Sequence, residues 1–199
     1  SQKKLTYTFV SAFVIMLLLA GFIFKQYKAK NKANQIILSQ KQEVEHQSEI
    51  IFEKNKEITD SINYAKRIQT ALLTSDESWI DISKKHFVFF KPKDVVSGDF
   101  FWAFKTEEDL AIWVAADCTG HGVPGAFMSM LGIGFLNEIV VESNITVADE
   151  ILNSLRDKII KALEQKGVDV QQRDGMDLAL CVWDKKTNIL EYSGANNPL

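Results

Sequence analysis

Cysteine is scarce. The chain has two, Cys118 and Cys181, too few for a disulfide framework, and Cys181 in its strand-like run reads as a small core residue. No excess of positive charge exists either. The formal net charge is -3, which gives no electrostatic case for nucleic acid, so no nucleic-acid partner is expected. Residues 25–73 contain neither glycine nor proline, so the ordinary helix breakers are missing from that whole stretch. Residues 5–24 contain no charge at all. An initiator methionine is absent, and the sequence stops at Asn196-Asn197-Pro198-Leu199 just after a strand-like segment. A piece of a longer protein is therefore expected.

The uncharged run, LTYTFVSAFVIMLLLAGFIF over 5–24, matches a membrane's hydrocarbon core, about 30 Å at 1.5 Å per helical residue. Lys3 and Lys4 precede it; Lys25, Lys28, Lys30 and Lys32 follow it. A secretory signal would also follow basic residues, but this run is long and no small-residue cleavage site ends it. The more basic, C-terminal side is expected in the cytoplasm, making a single-pass protein of the inner or plasma membrane.

Residues 25–75 read as one connecting helix. Ile37, Val44, Ile51, Ile58, Ala65 and Leu72 recur every seven positions, a coiled-coil signature. The companion seam is polar, reading Gln40, Gln47, Lys54 and Ser61 until Ile68. A parallel homodimer that stiffens through Ile58, Ile62, Ala65, Ile68 and Leu72 is expected, and such a dimer suits signal transmission. The plainer alternative is a solvated helix whose last turns pack on the next domain. His46 invites a histidine-kinase reading, yet no Gly-rich ATP-binding pattern follows it, so it reads as an exposed helical histidine.

From residue 76 the pattern changes. Thr74-Ser75-Asp76 breaks the helix. Strands are expected over His86–Phe90, Asp99–Phe104 and Leu110–Ala116, the last two as a hairpin across the charged turn at 106–109. A helix with Pro124 in its first turn runs to about Val141, and its Gly125, Ala126, Ser129, Gly132 and Gly134 would let it lie close to a sheet. A second helix spans Thr146 to Lys166, capped by Thr146 and closed by Gly167. A further hairpin follows, over Met176–Trp183 and Ile189–Tyr192. Strands, two helices, then strands indicate an α+β layered domain.

The chemistry gathers on two aspartates. Asp99 starts one hairpin strand and Asp117 ends the next, and antiparallel pairing brings such positions together. Paired carboxylates with nearby carbonyls are what hard divalent ions require. Two such ions would orient and deprotonate a water and clamp a phosphoryl oxygen, which suits hydrolysis of a phosphate ester. The competing reading is that both are turn-forming aspartates beside glycines.

Gly98-Asp99-Phe100-Phe101-Trp102 and Ala116-Asp117-Cys118-Thr119-Gly120-His121-Gly122-Val123-Pro124-Gly125-Ala126 carry a resemblance. So do Asp174-Gly175-Met176-Asp177-Leu178-Ala179-Leu180 and Tyr192-Ser193-Gly194-Ala195-Asn196-Asn197-Pro198. Jointly they resemble the SpoIIE (stage II sporulation E) group of PPM-type, type-2C-like Ser/Thr phosphatases, over about residues 58–199. The resemblance implies a partial α-β-β-α sandwich with two Mn²⁺ or Mg²⁺ ions in its cleft. It implies metal ligation by Asp99, by Asp117 and by the Cys118 backbone carbonyl, with Asp177 near an extra, weaker ion and Asp174 a turn residue. The family often has glycine where Cys118 stands, and a thiol beside the ions would be open to oxidation. His121 reads either as a general acid near the leaving group or as a shaper of its Gly-His-Gly turn, the second being preferred. Further aspartates that the family supplies from later motifs do not occur here, so residues 76–199 read as an incomplete domain, inactive as it stands.

The function expected is that of a membrane-tethered, metal-dependent protein phosphatase. The substrate the resemblance implies is a phosphorylated signalling protein, such as a STAS-domain anti-sigma-factor antagonist. The rival is a non-catalytic, phosphatase-like dimerisation or docking module.

Overall fold

The computed structural model describes residues 2–163 and 174–199. The chain divides into two compact units, Ser1–Ile58 and Thr59–Leu199. Helix α1 (Gln2–Leu72) is 71 residues long and supplies the first unit and the start of the second. Its apolar N-terminal part is long enough to cross a membrane, and none of it is buried. The seam residues Ile37, Val44, Ile51 and Ile58 are all exposed.

In the second unit, the last turns of α1 differ from expectation. Ile62 and Ala65 are half-buried, Gln69 is buried, and Leu73 packs on the main core. Ile58, Ile68 and Leu72 stay exposed. The inward face thus keeps Ile62 and Ala65 of the apolar seam but continues through Gln69 and Leu73 in place of Ile68 and Leu72, and a glutamine sits at its centre. A short helix not expected from the sequence, α2 (Asp76–Ile82), follows. Ser75 caps it, accepting from the Ser78 N–H at 3.3 Å.

Four strands form one antiparallel sheet in the order β1-β2-β3-β4. They are β1 (Phe100–Lys105), β2 (Leu110–Cys118), β3 (Met176–Asp184) and β4 (Ile189–Ala195). Both expected hairpins form; β2, β3 and β4 run longer than expected, and β1 is shifted by one residue so that Asp99 precedes it. Asp184 ends β3 by accepting from Lys186 N–H at 2.8 Å and Thr187 Oγ1 at 2.7 Å. Between β2 and β3 lie α3 (Gly122–Leu136), a π-helical turn (Asn137–Glu142) and α4 (Ala148–Ala162). Through the wider π turn, Leu136, Ile139 and Val140 are all buried. Trp102 Nε1 donates to Asn137 Oδ1 at the junction, 2.9 Å away.

The main core lies between these helices and one sheet face. Ile112, Val114 and Ala116 of β2 and Leu178, Leu180 and Val182 of β3 meet Ile133, Ile151 and Leu155 there. Each fully buried Val, Leu or Ile among these contributes about 1.5–3 kcal/mol. The opposite face carries a smaller cluster of Ile82, Ala103 and Ala111 with the indoles of Trp79, Trp113 and Trp183. The architecture is an α+β domain with one four-stranded sheet and one helical layer over its main-core face.

Two expectations are corrected. His86–Phe90 forms no strand: Phe87 and Phe89 are 90% and 85% exposed, and the segment pairs with none of the four strands. Aromatic, β-branched composition favours a strand only where an edge accepts its backbone. Thr146 does not cap α4. The N-cap is Val147, which has no capping side chain, and Glu191 of β4 instead accepts the Ala148 N–H at 3.2 Å. The expected end of this helix at Lys166 and its closure by Gly167 lie outside the described residues.

Candidate metal centre

Alternation along β2 decides which residues face the site. Ile112, Val114, Ala116 and Cys118 point into the main core, so Trp113, Ala115 and Asp117 take the other face. The ladder's last pair on the β1 side is Phe100 with Ala116. One step further, Asp99 faces Asp117, and the two carboxyls lie within hydrogen-bonding reach. On the other side, Asp117 pairs directly with Asp177 of β3. Three aspartates therefore stand in one row, Asp99 just before β1, Asp117 in β2 and Asp177 in β3.

The pair is electrostatically uncomfortable without a cation. Partial burial, the hydrogen bond shared with Asp117 and that residue's charge together hold the Asp99 carboxyl above its ordinary range. Asp177 is steadied by Asn196, whose Nδ2 donates to Asp177 Oδ1 at 3.2 Å from a left-handed backbone position. Among the described residues no three His, Cys, Asp or Glu side chains converge on one metal position. Asp177 thus flanks the Asp99–Asp117 pair and does not complete a triad with it.

The loop after β2 is pinned at its start by two bonds. Thr119 N–H donates to Gly175 O at 2.9 Å, and Gly175 N–H donates to Thr119 Oγ1 at 3.1 Å. That double link holds together the β2 and β3 ends that carry Asp117 and Asp177. Gly120 and Gly122 turn the chain with φ of +89° and +64°. The main chain then passes so close to Gly98 that a Cβ there would lie 2.8 Å from Gly120 O and 3.1 Å from Cys118 O. The Cys118 carbonyl is in this way delivered beside the residue preceding Asp99.

Cys118 itself is corrected in one respect. Its side chain is on the core face, and burial, with the Asp117 and Asp99 charges, pushes the thiol up to about 12. A buried, protonated thiol is inert, so sensitivity to oxidation is not expected of it. His121, side chain 83% exposed, ends 3.4 Å from Asp94 Oδ2 through its Nδ1. The structure places it with Asp94, at the N-cap of α3, where it makes no side-chain capping bond.

The donor set suits a hard divalent ion. Two carboxylates and a main-chain carbonyl are all oxygen, as Mg²⁺ and Mn²⁺ prefer. The sheet face that bears them opens into a cavity of about 730 Å³, lined among others by Asp99, Phe101, Trp113, Ala115, Asp117 and Ala179. Alanines at 115 and 179 leave room there for a substrate group.

Sequence reasoning missed Thr119 and Gln69 as organisers of this site. Thr119 lay inside a quoted motif. Gln69 carried one signal, a polar residue at helical spacing from Ile62, Ala65 and Leu73.

A layered α+β domain whose sheet ends in facing aspartates beside a glycine turn resembles the PPM-type phosphatase domain. Comparison with known proteins agrees. Residues 107–199 match the family model described as stage II sporulation protein E (SpoIIE). Among solved structures, the SiaA-PP2C domain of Pseudomonas aeruginosa is similar, at 30% sequence identity and a TM-score of 0.61. The alignment covers 71% of this chain and 55% of that one, so this chain spans about half of that domain. No curated protein sequence matches. The resemblance to SpoIIE-like PPM phosphatases, read from the motifs, stands. The family match begins after Asp99, so Asp99 rests on its geometry opposite Asp117.

Proposed function

We propose that this protein is a membrane-tethered, Mn²⁺- or Mg²⁺-dependent phosphatase that removes phosphate from serine or threonine of a phosphorylated signalling protein. The observation that carries this reading is the facing Asp99–Asp117 pair, one just before β1 and one in β2, both lining a cavity. Asp99, Asp117 and the Cys118 carbonyl would hold the ions. When bound, these supply an activated water and neutralise charge on the phosphoryl oxygens. The protein's own part is placement. The ladder fixes Asp117 and, through Phe100, the C-terminal side of Asp99; the Thr119–Gly175 link fixes the turn, and Asn196 steadies Asp177, which would lie near a weaker, third ion. His121 is read as holding its turn through Asp94; the alternative is proton donation to the leaving group. By family likeness the substrate class is that of STAS-domain anti-sigma-factor antagonists.

The test is phosphate release from a phosphoserine protein by the full-length enzyme. Turnover is expected with Mn²⁺ and lost on chelation with EDTA. Metal-independent turnover, or none, overturns the reading. One observation favours a second reading, a non-catalytic docking module: among the described residues the carboxylate pair gains no third converging ligand. A phosphoprotein that binds without being dephosphorylated would support it.

The exposed N-terminal segment supports tethering, with the lysine-rich side and the phosphatase domain cytoplasmic. The exposed seam at Ile37, Val44, Ile51 and Ile58 supports a parallel homodimer. Ile51→Cys in membranes is expected to form a disulfide-linked dimer, and Glu49→Cys, off the seam, is not. Monomer alone from Ile51→Cys removes the dimer.

A further inference from the structure

We infer that Gln69 is a positioning residue for the Asp99 carboxylate, and that its side-chain amide sets how tightly the site holds a divalent ion. The inference rests on the reading of Asp99 and Asp117 as metal ligands.

Gln69 lies in the last turn of α1 and is 4% exposed. Its Nε2 donates to Ser97 O at 2.6 Å and to Ser129 Oγ at 2.7 Å. Its Oε1 accepts the Ser97 N–H at 3.0 Å. One primary amide thus uses both donors and its acceptor, and it takes both main-chain groups of Ser97. A strand neighbour would ordinarily do that. Here the β1–β2 ladder begins only at Phe100, so the Ser97-Gly98-Asp99 segment has Gln69 in place of a ladder. Asp99 is therefore held from its C-terminal side by the sheet and from its N-terminal side by this amide.

The same amide reaches the other aspartate's segment. Ser129 is fully buried on α3, the helix into which the Asp117 turn leads. Its hydroxyl accepts from Gln69 and has its own hydrogen free for Ala126 O, 2.9 Å away. Three of the four buried polar residues described, Gln69, Ser97 and Ser129, belong to this one network. Leucine would match the volume and make none of the bonds. Glutamate would keep the acceptor but lose both donors and bury a charge. Asparagine is one methylene shorter. A metal site needs its ligands held within about 0.5 Å, and partners behind the ligands typically change metal affinity about 10–100-fold.

Mn²⁺ titration calorimetry on the full-length enzyme tests this, with deuterium exchange at residues 97–100 and turnover against Mn²⁺ concentration. Gln69→Leu is expected to raise the Mn²⁺ Kd about 10-fold and to speed exchange at 97–100. Its loss of turnover should be recovered by adding Mn²⁺, which a general folding defect would not allow. A wild-type Kd with unchanged exchange overturns the inference. If Gln69→Leu does not fold, Ser129→Ala carries the test, since it removes one acceptor and leaves the Ser97 clamp. A smaller rise in Kd is expected from it, and none overturns the inference. If wild type itself binds no Mn²⁺, the metal reading fails and this inference with it. Failure of the Gln69 role alone shows instead as wild-type and variant binding Mn²⁺ equally.

Discussion

Asp117→Asn is expected to cut Mn²⁺-dependent turnover by at least about 10²-fold and, at neutral pH, to make the metal-free protein slightly more stable. Both outcomes follow from one geometry. Two carboxylates set at facing positions are useful to a cation and repel one another without it. Burial, a hydrogen bond with Asp117 and the Asp117 charge raise the Asp99 carboxyl above its ordinary value. Its folded pKa then exceeds the unfolded value of about 3.9, so the native state binds the extra proton across that interval. Stability is highest below the unfolded pKa and falls as pH rises through the raised one. At pH 7 the repulsion is fully present. The Asp99 side chain is only partly buried and largely open to solvent, so screening limits the cost to at most about 1 kcal/mol, or about 2–4 °C in Tm. Melts in EDTA should therefore place Asp117→Asn above wild type at pH 7, with the gap closing at about pH 4. Adding Mn²⁺ should raise the Tm of wild type and not of the variant. A variant that melts lower in EDTA and still turns over with Mn²⁺ would show that Asp117 is an ordinary turn former.

That pair was legible in the sequence because hairpin geometry is local. Period-two alternation gives the two strands, and antiparallel pairing then forces the start of one beside the end of the other. The Cys118 thiol was misjudged although the same alternation settles it: Cys118 follows Ala116 and Val114 onto the core face. What escaped depends on partners distant in sequence. Glu191, 43 residues beyond the Ala148 N–H it accepts, takes the role expected of Thr146. The His86–Phe90 segment pairs with none of the four strands, though Phe90 still packs edge-on against Phe101 at 5.4 Å. A seven-residue helix such as α2 is too short for periodicity to reveal. Gln69 escaped for a different reason. Hydrophobic patterning finds a helix's inward face by its apolar residues, and here the centre of that face is an amide whose partners are main-chain groups.

Gly125→Ala and Gly134→Ala are expected to act in opposite directions, though both place one methyl on the same helix. Alanine favours a helix over glycine by about 0.8–1 kcal/mol, so propensity alone predicts stabilisation at both. At Gly134 nothing lies within 4 Å of the added Cβ, and the gain should be kept in part. At Gly125 the Cβ would stand 2.5 Å from Gly120 O and 2.9 Å from Gly98 Cα. Both are main chain, and neither can rotate aside as a side chain would. Overpacking of this kind typically costs about 1–3 kcal/mol, and a clash with two backbones belongs at the upper end. The net loss of about 2 kcal/mol should lower Tm by about 4–8 °C. The displaced segments are Gly98, next to Asp99, and Gly120, three residues past Asp117, so Mn²⁺ affinity should fall as well. Gly132 grades the series. Its Cβ would meet only the ends of Phe100 and Met176, each at 3.0 Å, and those side chains can shift, so Gly132→Ala should fall between the other two. Thermal melts with Mn²⁺ titrations across the three variants test the ordering. If Gly125→Ala matched Gly134→Ala in both Tm and Mn²⁺ affinity, the close approach of α3 to the aspartate-bearing loops would have no energetic consequence. The small residues of that helix would then be there for reasons other than bringing Asp99 and Asp117 together.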